Sequence, residues 1–513
     1  MKIIFLCHGP VLDVYYDLYK SLKHDGKIKQ AGFFISDRRY FAKFCSKNPE
    51  FNDECSYLGE WEISDKIDSD YSVDELKVFE GKYFENYPIW NALVADRRVY
   101  LGKLCKISHD HRPSFSHDKM QSLMFHGCQL IEDLFNSIEP EIIVGYSSAT
   151  FSDHIFYAMS QSLKKKFVIL RHTKVNNQMI FTEGLDEDFA EIRQKFIETG
   201  KCENNKDEST WIEAKRYLEK ASEKKISYSG HRNFDISLGA VSKGFLKDFL
   251  RSVYVDLKNL LNKRDHHSSI STLRYYWYNK VIRIFRVISQ EYFLAKDFLK
   301  LEDMDDIRFV FFPLHAEPEV SLSVLAKQYQ NQIEVVRNLA RQLPIDYKLV
   351  VKDHPRNYGR RSLRYLKKLM EIPNVEVVHP SINSIEIIRR CEQAIIISGY
   401  VGFEAILLRK PVITLGKTLL NILPSPIVTK VNNINDIWMT IQSNLTEYSY
   451  DEEVILNYLY SVMSKSVPID LMTVLLRKEN RKGTPYSDKA YKDNIQKLNE
   501  NLSFFIEVES SQQ

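Results

Sequence analysis

The chain lacks long apolar runs, paired cysteines and an excess of either charge. No uninterrupted apolar stretch in its 513 residues approaches the roughly 20 needed to span a bilayer. Lys plus Arg numbers 71 against 68 Asp plus Glu, a net +3, so no global positive field argues for nucleic acid and any basic surface is local. The seven cysteines, Cys7, Cys45, Cys55, Cys105, Cys128, Cys202 and Cys391, are odd in number, scattered, and without a CxxC pair. That pattern excludes a disulfide framework and a thiolate zinc site, and it predicts a reducing compartment. The apolar opening Met1 to Cys7 is broken by His8-Gly9-Pro10 and Asp13, too soon for a secretory h-region. A cytoplasmic location is expected, with peripheral contact at the inner face of the cell membrane left open. No DxD motif falls at a strand edge, so neither a metal nor a cofactor is expected. No repeat or low-complexity block is present.

What is there is strand–helix alternation. The length is too great for one ordinary core, and two or three domains are expected. Lys2 to Cys7 has the apolar density of a buried strand, Val11 to Lys23 has helical spacing, and Ala31 to Ser36 is the next strand. A helix from Gln121 to Ser137, a strand Glu141 to Tyr146, a helix Ser152 to Leu163 and a strand Phe167 to Leu170 continue the pattern. Residues 1–184 therefore form an N-terminal Rossmann-like domain. Residues 185–304 show no clear strand and are expected to be a helical insert. A second sheet follows in 305–435, with strands Phe309 to Phe312, Lys348 to Val351, Val375 to Val378, Ala394 to Ile397 and Val412 to Thr414. The helices between them, Leu322 to Gln342, Arg361 to Met370, Ser384 to Cys391 and Phe403 to Leu408, imply right-handed crossovers and a parallel sheet. Residues 436–513 are helical and then polar.

Three loops of the second sheet each follow a strand and precede a helix, which puts them at the carboxyl edge where open α/β sheets bind ligands. Ser398-Gly399-Tyr400-Val401-Gly402-Phe403-Glu404 offers glycines for close backbone approach and a helix start for an anion. Glu404 can accept hydrogen bonds from a ribose diol; the plain alternative is a tight turn with a dipole-matching acid. Lys352-Asp353-His354-Pro355-Arg356 sets a histidine between two cations, suited to neutralising or protonating a departing phosphate. His379-Pro380 also follows a strand, has no basic neighbour, and serves as a structural control. Pro313-Leu314-His315-Ala316-Glu317-Pro318-Glu319 groups an imidazole with two carboxylates, suited to hydroxyl recognition, or equally to a helix approach. Lys352, Arg356, Ser398, Gly399, Gly402 and Glu404 are thus the candidate nucleotide-binding residues.

The first domain has its own edge, with His8, Ser147, Ser148 and Arg171. An acceptor hydroxyl needs a general base there, and Asp13, Asp96 and Asp153 are open candidates; Asp13 joins His354 and His315 as the catalytic set. The segment 258–300 alternates Lys263, Arg264, Arg274, Lys280, Arg283 and Arg286 with Tyr275, Tyr276, Trp277, Tyr278 and Phe285. Such a basic aromatic helix can lie on anionic lipid or turn a stripe toward the core, the second being the commoner outcome.

The ordered set Phe311-Phe312-Pro313-Leu314-His315, Pro318-Glu319, Leu343-Pro344, Val351 to Pro355, Ser398-Gly399 to Glu404-Ala405, and Lys410-Pro411-Val412-Ile413 with Gly416 resembles the capsule polysaccharide biosynthesis family, which includes bacterial Kdo transferases that build capsule linkers. The resemblance covers roughly 305–430. Its His-Pro and Ser-Gly loops also resemble those of bacterial sialyltransferases and teichoic-acid polyol-phosphate transferases. It implies an α/β, GT-B-like fold: two Rossmann-like domains facing a cleft, with a helical insert. It implies a glycosyltransferase acting between a nucleotide-sugar substrate, CMP-linked and Kdo-like, and a surface polysaccharide or lipid-linked glycan. It assigns His354, Ser398 and Gly399 to phosphate and Glu404 to the nucleotide. A CDP-polyol phosphotransferase, a sugar-nucleotide epimerase of this fold and a non-catalytic assembly subunit are the alternatives.

Overall fold

The computed structural model describes residues 1–99, 115–186, 189–201, 206–222, 237–261, 273, 276–317, 319–476 and 487–510. Two open sheets organise them. The first holds β1 (Lys2–Cys7), β2 (Gln30–Ile35), β3 (Ser56–Gly59), β4 (Ile142–Gly145), β5 (Lys166–His172), β6 (Gln178–Glu183) and β13 (Val467–Pro468). Its order is β13-β6-β5-β4-β1-β2-β3; β1 to β5 pair in parallel, while β6 runs antiparallel to β5 and β13 antiparallel to β6. The second holds β7 (Arg308–Pro313), β8 (Tyr347–Lys352), β9 (Val375–Val378), β10 (Gln393–Ile396), β11 (Val412–Thr414) and β12 (Val428–Lys430). It is parallel throughout, in the order β12-β11-β10-β7-β8-β9.

Alternation along each strand fills both faces. Ile3 and Phe5 lie with Val14, Tyr15 and Leu18 of the helix Val11–His24 on one side of β1. Ile4 and Leu6 meet Leu123, Ile155 and Phe156 on the other. A parallel sheet covered by helices on both faces needs this continuous apolar strand pattern. In both sheets the strand order reverses beside the first strand, between β1 and β4 and between β7 and β10. A doubly wound fold opens its ligand crevice at that switch point.

Four strands escaped the sequence reading: β3, β6, β12 and β13. β3 is four residues long with two exposed, and β13 is two residues. β6 folds back from β5 through a turn in which Lys174 and Asn176 take φ of 66° and 47°, a reversal with no Gly or Pro to announce it. The expected helix Leu322 to Gln342 is instead a turn at Ser321–Leu325, a break at Ala326 (φ −142°, ψ 53°), and a helix Gln332–Ala340 capped by Asn331. Gln332 explains the restart: its side-chain oxygen accepts from the backbone N–H of His315 at 2.7 Å.

The expected insert does not behave as one unit. Helices Ala190–Lys201 and Glu208–Ser222 pack on Glu452–Lys465, where Asn457 Nδ2 donates to the Phe196 carbonyl at 2.9 Å. The helix Arg283–Phe293 instead docks through Val287 and Ile284 on Tyr358 and Val241. The polar C-terminal stretch returns to the first domain. Helix Asp488–Ser510 lies along Val11–His24, with Tyr491 donating to Asp17 at 2.8 Å and Asn499 to Asp25 at 2.8 Å. Lys263, Arg264, Arg274, Tyr275, Cys105, Cys202 and Pro318 lie outside the described residues; the other five cysteines are free thiols.

Candidate functional site

The three second-sheet loops converge at the β7/β10 switch point. Asp353, just past β8, fixes the middle loop. It is buried, accepts from Arg361 Nε at 2.9 Å and from Asn357 Nδ2 at 2.9 Å, and also receives the His354 N–H at 2.8 Å. The Arg361 side chain is fully buried, and it also donates to the His315 carbonyl at 3.1 Å. A buried pair satisfied this fully rigidifies the backbone on which its neighbours stand. Lys352 and His354 flank it.

Lys352 is 4% exposed, and burial pulls its ammonium down to about 8 against the attraction of Asp353 and Glu404. Burial likewise pushes Glu404 up to about 7, with Lys352 opposing. His354 accepts the Arg356 N–H at Nδ1, 3.0 Å away. Burial holds it at about 4, against the opposing charges of Glu319 and Asp353. Its imidazole is therefore neutral at pH 7 in the absence of an anion. Arg356 is exposed on the turn.

Ser398 is 4% exposed, and its Oγ has no hydrogen-bond partner. A buried hydroxyl left unpaired costs about 1–3 kcal/mol, and the helix Tyr400–Leu407 starts beside it. Gly399, with φ +107°, makes this turn; a Cβ there would sit 3.4 Å from His315 Cε1. Gly402 belongs elsewhere. It faces the sheet, where a Cβ would lie 2.4 Å from Ile396 Cδ1 and 2.9 Å from Leu420 Cδ1. Close helix–strand packing, not a ligand, demands that glycine.

His315 also departs from the expected catalytic role. Its Nδ1 meets Glu319 at 3.0 Å and its Nε2 accepts the Ser398 N–H at 3.4 Å. With both ring nitrogens engaged it ties the first loop to the third. Glu319 lies below the usual carboxylate range, burial being outweighed by the His315 hydrogen bond and charge. His379 makes a local bond to Ser381 at 2.6 Å and pins Glu291 at 2.9 Å, as a structural histidine would.

The first domain borders this edge. His172, Lys174, Gly399, Phe403 and Thr418 line a shared pocket. Ala95 packs on Val324 and Leu325, and Lys327 sits 5.4 Å over the Tyr87 ring. Of the three candidate bases, Asp13 accepts the Tyr40 hydroxyl. Asp96 is buried against Arg98 at 2.8 Å and the Phe151 N–H at 3.1 Å. Asp153 is buried and accepts from Thr150 N at 3.1 Å while meeting His8 Nε2 at 2.9 Å. Arg171 donates to the Leu185 carbonyl at 2.6 Å and shapes the turn after β6. The structure therefore does not gather Asp13 with His354 and His315; what it adds is His8.

Two doubly wound α/β domains, meeting along their carboxyl edges, give the chain a GT-B-like fold. The family model described as capsule polysaccharide biosynthesis protein matches residues 253–452, a stretch that contains all three loops and bears out the resemblance they carry. The structure is similar to the beta Kdo 2,7 transferase of Thermosulfurimonas dismutans KpsC, at 11% identity over 73% of this chain and 89% of that one, TM-score 0.35. The beta Kdo 2,4 transferase of the same KpsC is similar at 12% identity over 63% and 79%, TM-score 0.33. The UDP-GlcNAc 2-epimerase of Methanocaldococcus jannaschii is similar at 13% identity over 90% and 98%, TM-score 0.25. At these scores the likenesses do not bear on substrate. No curated protein matches the chain.

Proposed function

We propose that the protein transfers a sugar from a nucleotide-sugar donor to a growing surface or capsular polysaccharide or its lipid-linked acceptor. A CMP-linked, Kdo-like donor is favoured by the family resemblance. The observation that carries the reading is the polar set at one switch point: buried Lys352, His354, the unpaired Ser398 hydroxyl and the helix start behind Gly399. The donor phosphate is held by Lys352, the Ser398 hydroxyl and the first N–H groups of that helix. Glu404, on the same helix, takes the ribose. A phosphate beside His354 favours its charged form, so the imidazole gains its proton as charge builds on the leaving nucleotide.

The test is turnover of nucleotide sugars in the presence of lipid-linked glycan. His354→Ala and Glu404→Ala should abolish transfer while keeping the melting temperature. Normal transfer by both variants would contradict the assignment, and nucleotide release that needs no acceptor would mark an epimerase instead.

Membrane contact belongs to the same proposal, carried by apolar stripes and not by the basic residues of the expected segment. Lys280 pairs with Asp248 at 3.1 Å, Arg283 donates to the Tyr358 carbonyl at 2.8 Å, and Arg286 donates to that of Arg360. Those cations anchor the helices inward. The open faces are apolar: Leu246, Leu250, Tyr254 and Leu257 at helical spacing on Phe245–Leu261, and Phe285, Ile288 and Tyr292 on Arg283–Phe293. Lys243, Lys247 and Arg251 are exposed beside the first stripe, so the matching occupant is an anionic lipid surface. Among the described residues no helix is long and apolar enough to cross a membrane. Flotation should show binding to vesicles containing phosphatidylglycerol, weakened by salt and lost in Leu250→Glu/Tyr254→Glu. No binding, or a dimer that buries these stripes, would overturn the membrane contact.

A further inference from the structure

At the switch point of the first sheet, His8 stands immediately past β1 and Asp153 on the helix Phe151–Ser162 that follows β4. The Asp153 side chain is fully buried and that of His8 is 17% exposed, with Nε2 and Oδ1 2.9 Å apart. This contact commits Nε2–H to the carboxylate and leaves Nδ1 outside the pair. Beside it Gly9 takes φ +60°, and a Cβ built there would meet nothing within 4 Å. The loop therefore borders open space. The other acids of this edge are engaged: Asp13 with Tyr40, and Asp96 and Glu60 with Arg98.

We propose that His8 is the general base that activates the acceptor hydroxyl, with Asp153 as its positioning residue. The inference rests on the transferase reading and names the acceptor side of that site. In the step, the hydroxyl proton passes to His8 Nδ1 as the hydroxyl oxygen bonds to the anomeric carbon. The bond from that carbon to the donor phosphate breaks, and its electron pair leaves with the nucleotide. The imidazolium is stabilised by Asp153, an orienting role that a buried, hydrogen-bonded carboxylate performs without taking the proton itself.

The charges facing His8 are Asp153 and Glu60, each on a helix, and Arg98 on a turn. Burial disfavours the imidazolium, but Asp153 outweighs it and the imidazole lies above its ordinary value. The limb of the pH–rate profile that requires neutral His8 then falls above the pH of an unperturbed histidine.

The experiment titrates CMP, UDP, CDP and GDP into wild type, His8→Gln and Asp153→Asn. Transfer is then measured to a lipid-linked glycan from sugar donors of whichever nucleotide binds. His8→Gln should cut turnover roughly 10²- to 10⁴-fold and leave nucleotide affinity within about twofold. Asp153→Asn, which keeps an oxygen for the Thr150 N–H, should move the acidic limb to lower pH, a displacement that mere loosening of the fold would not produce. Wild type that neither binds a nucleotide nor transfers sugar overturns the transferase reading and this inference together. Wild type that transfers while His8→Gln transfers equally overturns this inference alone, as does a His8→Gln that loses nucleotide binding.

Discussion

Both sheets place a histidine at the carboxyl end of their first strand, His8 after β1 and His315 after β7, yet the two imidazoles are wired differently. His315 binds a carboxylate four residues along its own loop and receives an N–H from the loop after β10. His8 binds a carboxylate 145 residues away, with its other nitrogen not engaged by that bond. The same topological position thus yields a strut between loops in one domain and a histidine–carboxylate pair with one ring nitrogen outside it in the other. Around the strut stand the groups suited to a phosphate. A donor half needs fixed positive and N–H donors, and an acceptor half needs one tunable base.

Four perturbations would break or sharpen this contrast. Arg361→Ala strands the buried Asp353 and should cost about 3–5 kcal/mol, read as a large fall in melting temperature. Arg98→Ala, whose side chain is 24% exposed, should cost less. Next, Lys352→Met should weaken nucleotide affinity roughly 10- to 100-fold by calorimetry, where His8→Gln should not. Third comes pH. Lys352 loses its proton at about 8, so nucleotide affinity should fall as pH rises from about 7 to 9. His154, His172 and His354 are each held near about 4 from an ordinary 6.5, by burial first. The unfolded chain then binds more protons between those values, so the melting temperature should drop as pH falls through 6.5 toward 4. The smallest effect is Gly402→Ala, a loss of about 1–3 kcal/mol from overpacking against Ile396 and Leu420, with the pH dependence of nucleotide affinity unchanged.

The three loops of the second sheet were legible because each is local: Lys352, His354 and Ser398 lie within a few residues of a strand end, and strand–loop–helix order alone brings them together. Gly402 was misread because a glycine needed for packing and one needed for a ligand look alike until the neighbouring side chains are known. His8 and Asp153 were both visible as edge residues, but nothing local couples them. Their pairing is a product of strand order, β4 lying beside β1, and Asp153 already had a sufficient reason to exist as the partner of Thr150 in a helix cap. β6 was lost because positive φ at Lys174 and Asn176 marks its turn without a glycine.

The most direct measurement is a calorimetric titration of the intact protein with CMP, UDP, CDP and GDP at pH 6.5 and 8.5. One nucleotide should bind, more tightly at the lower pH, and Lys352→Met should lose that binding while His8→Gln keeps it. Binding by none of the four, or binding that survives Lys352→Met, would contradict the assignment of the second sheet's edge as the donor site.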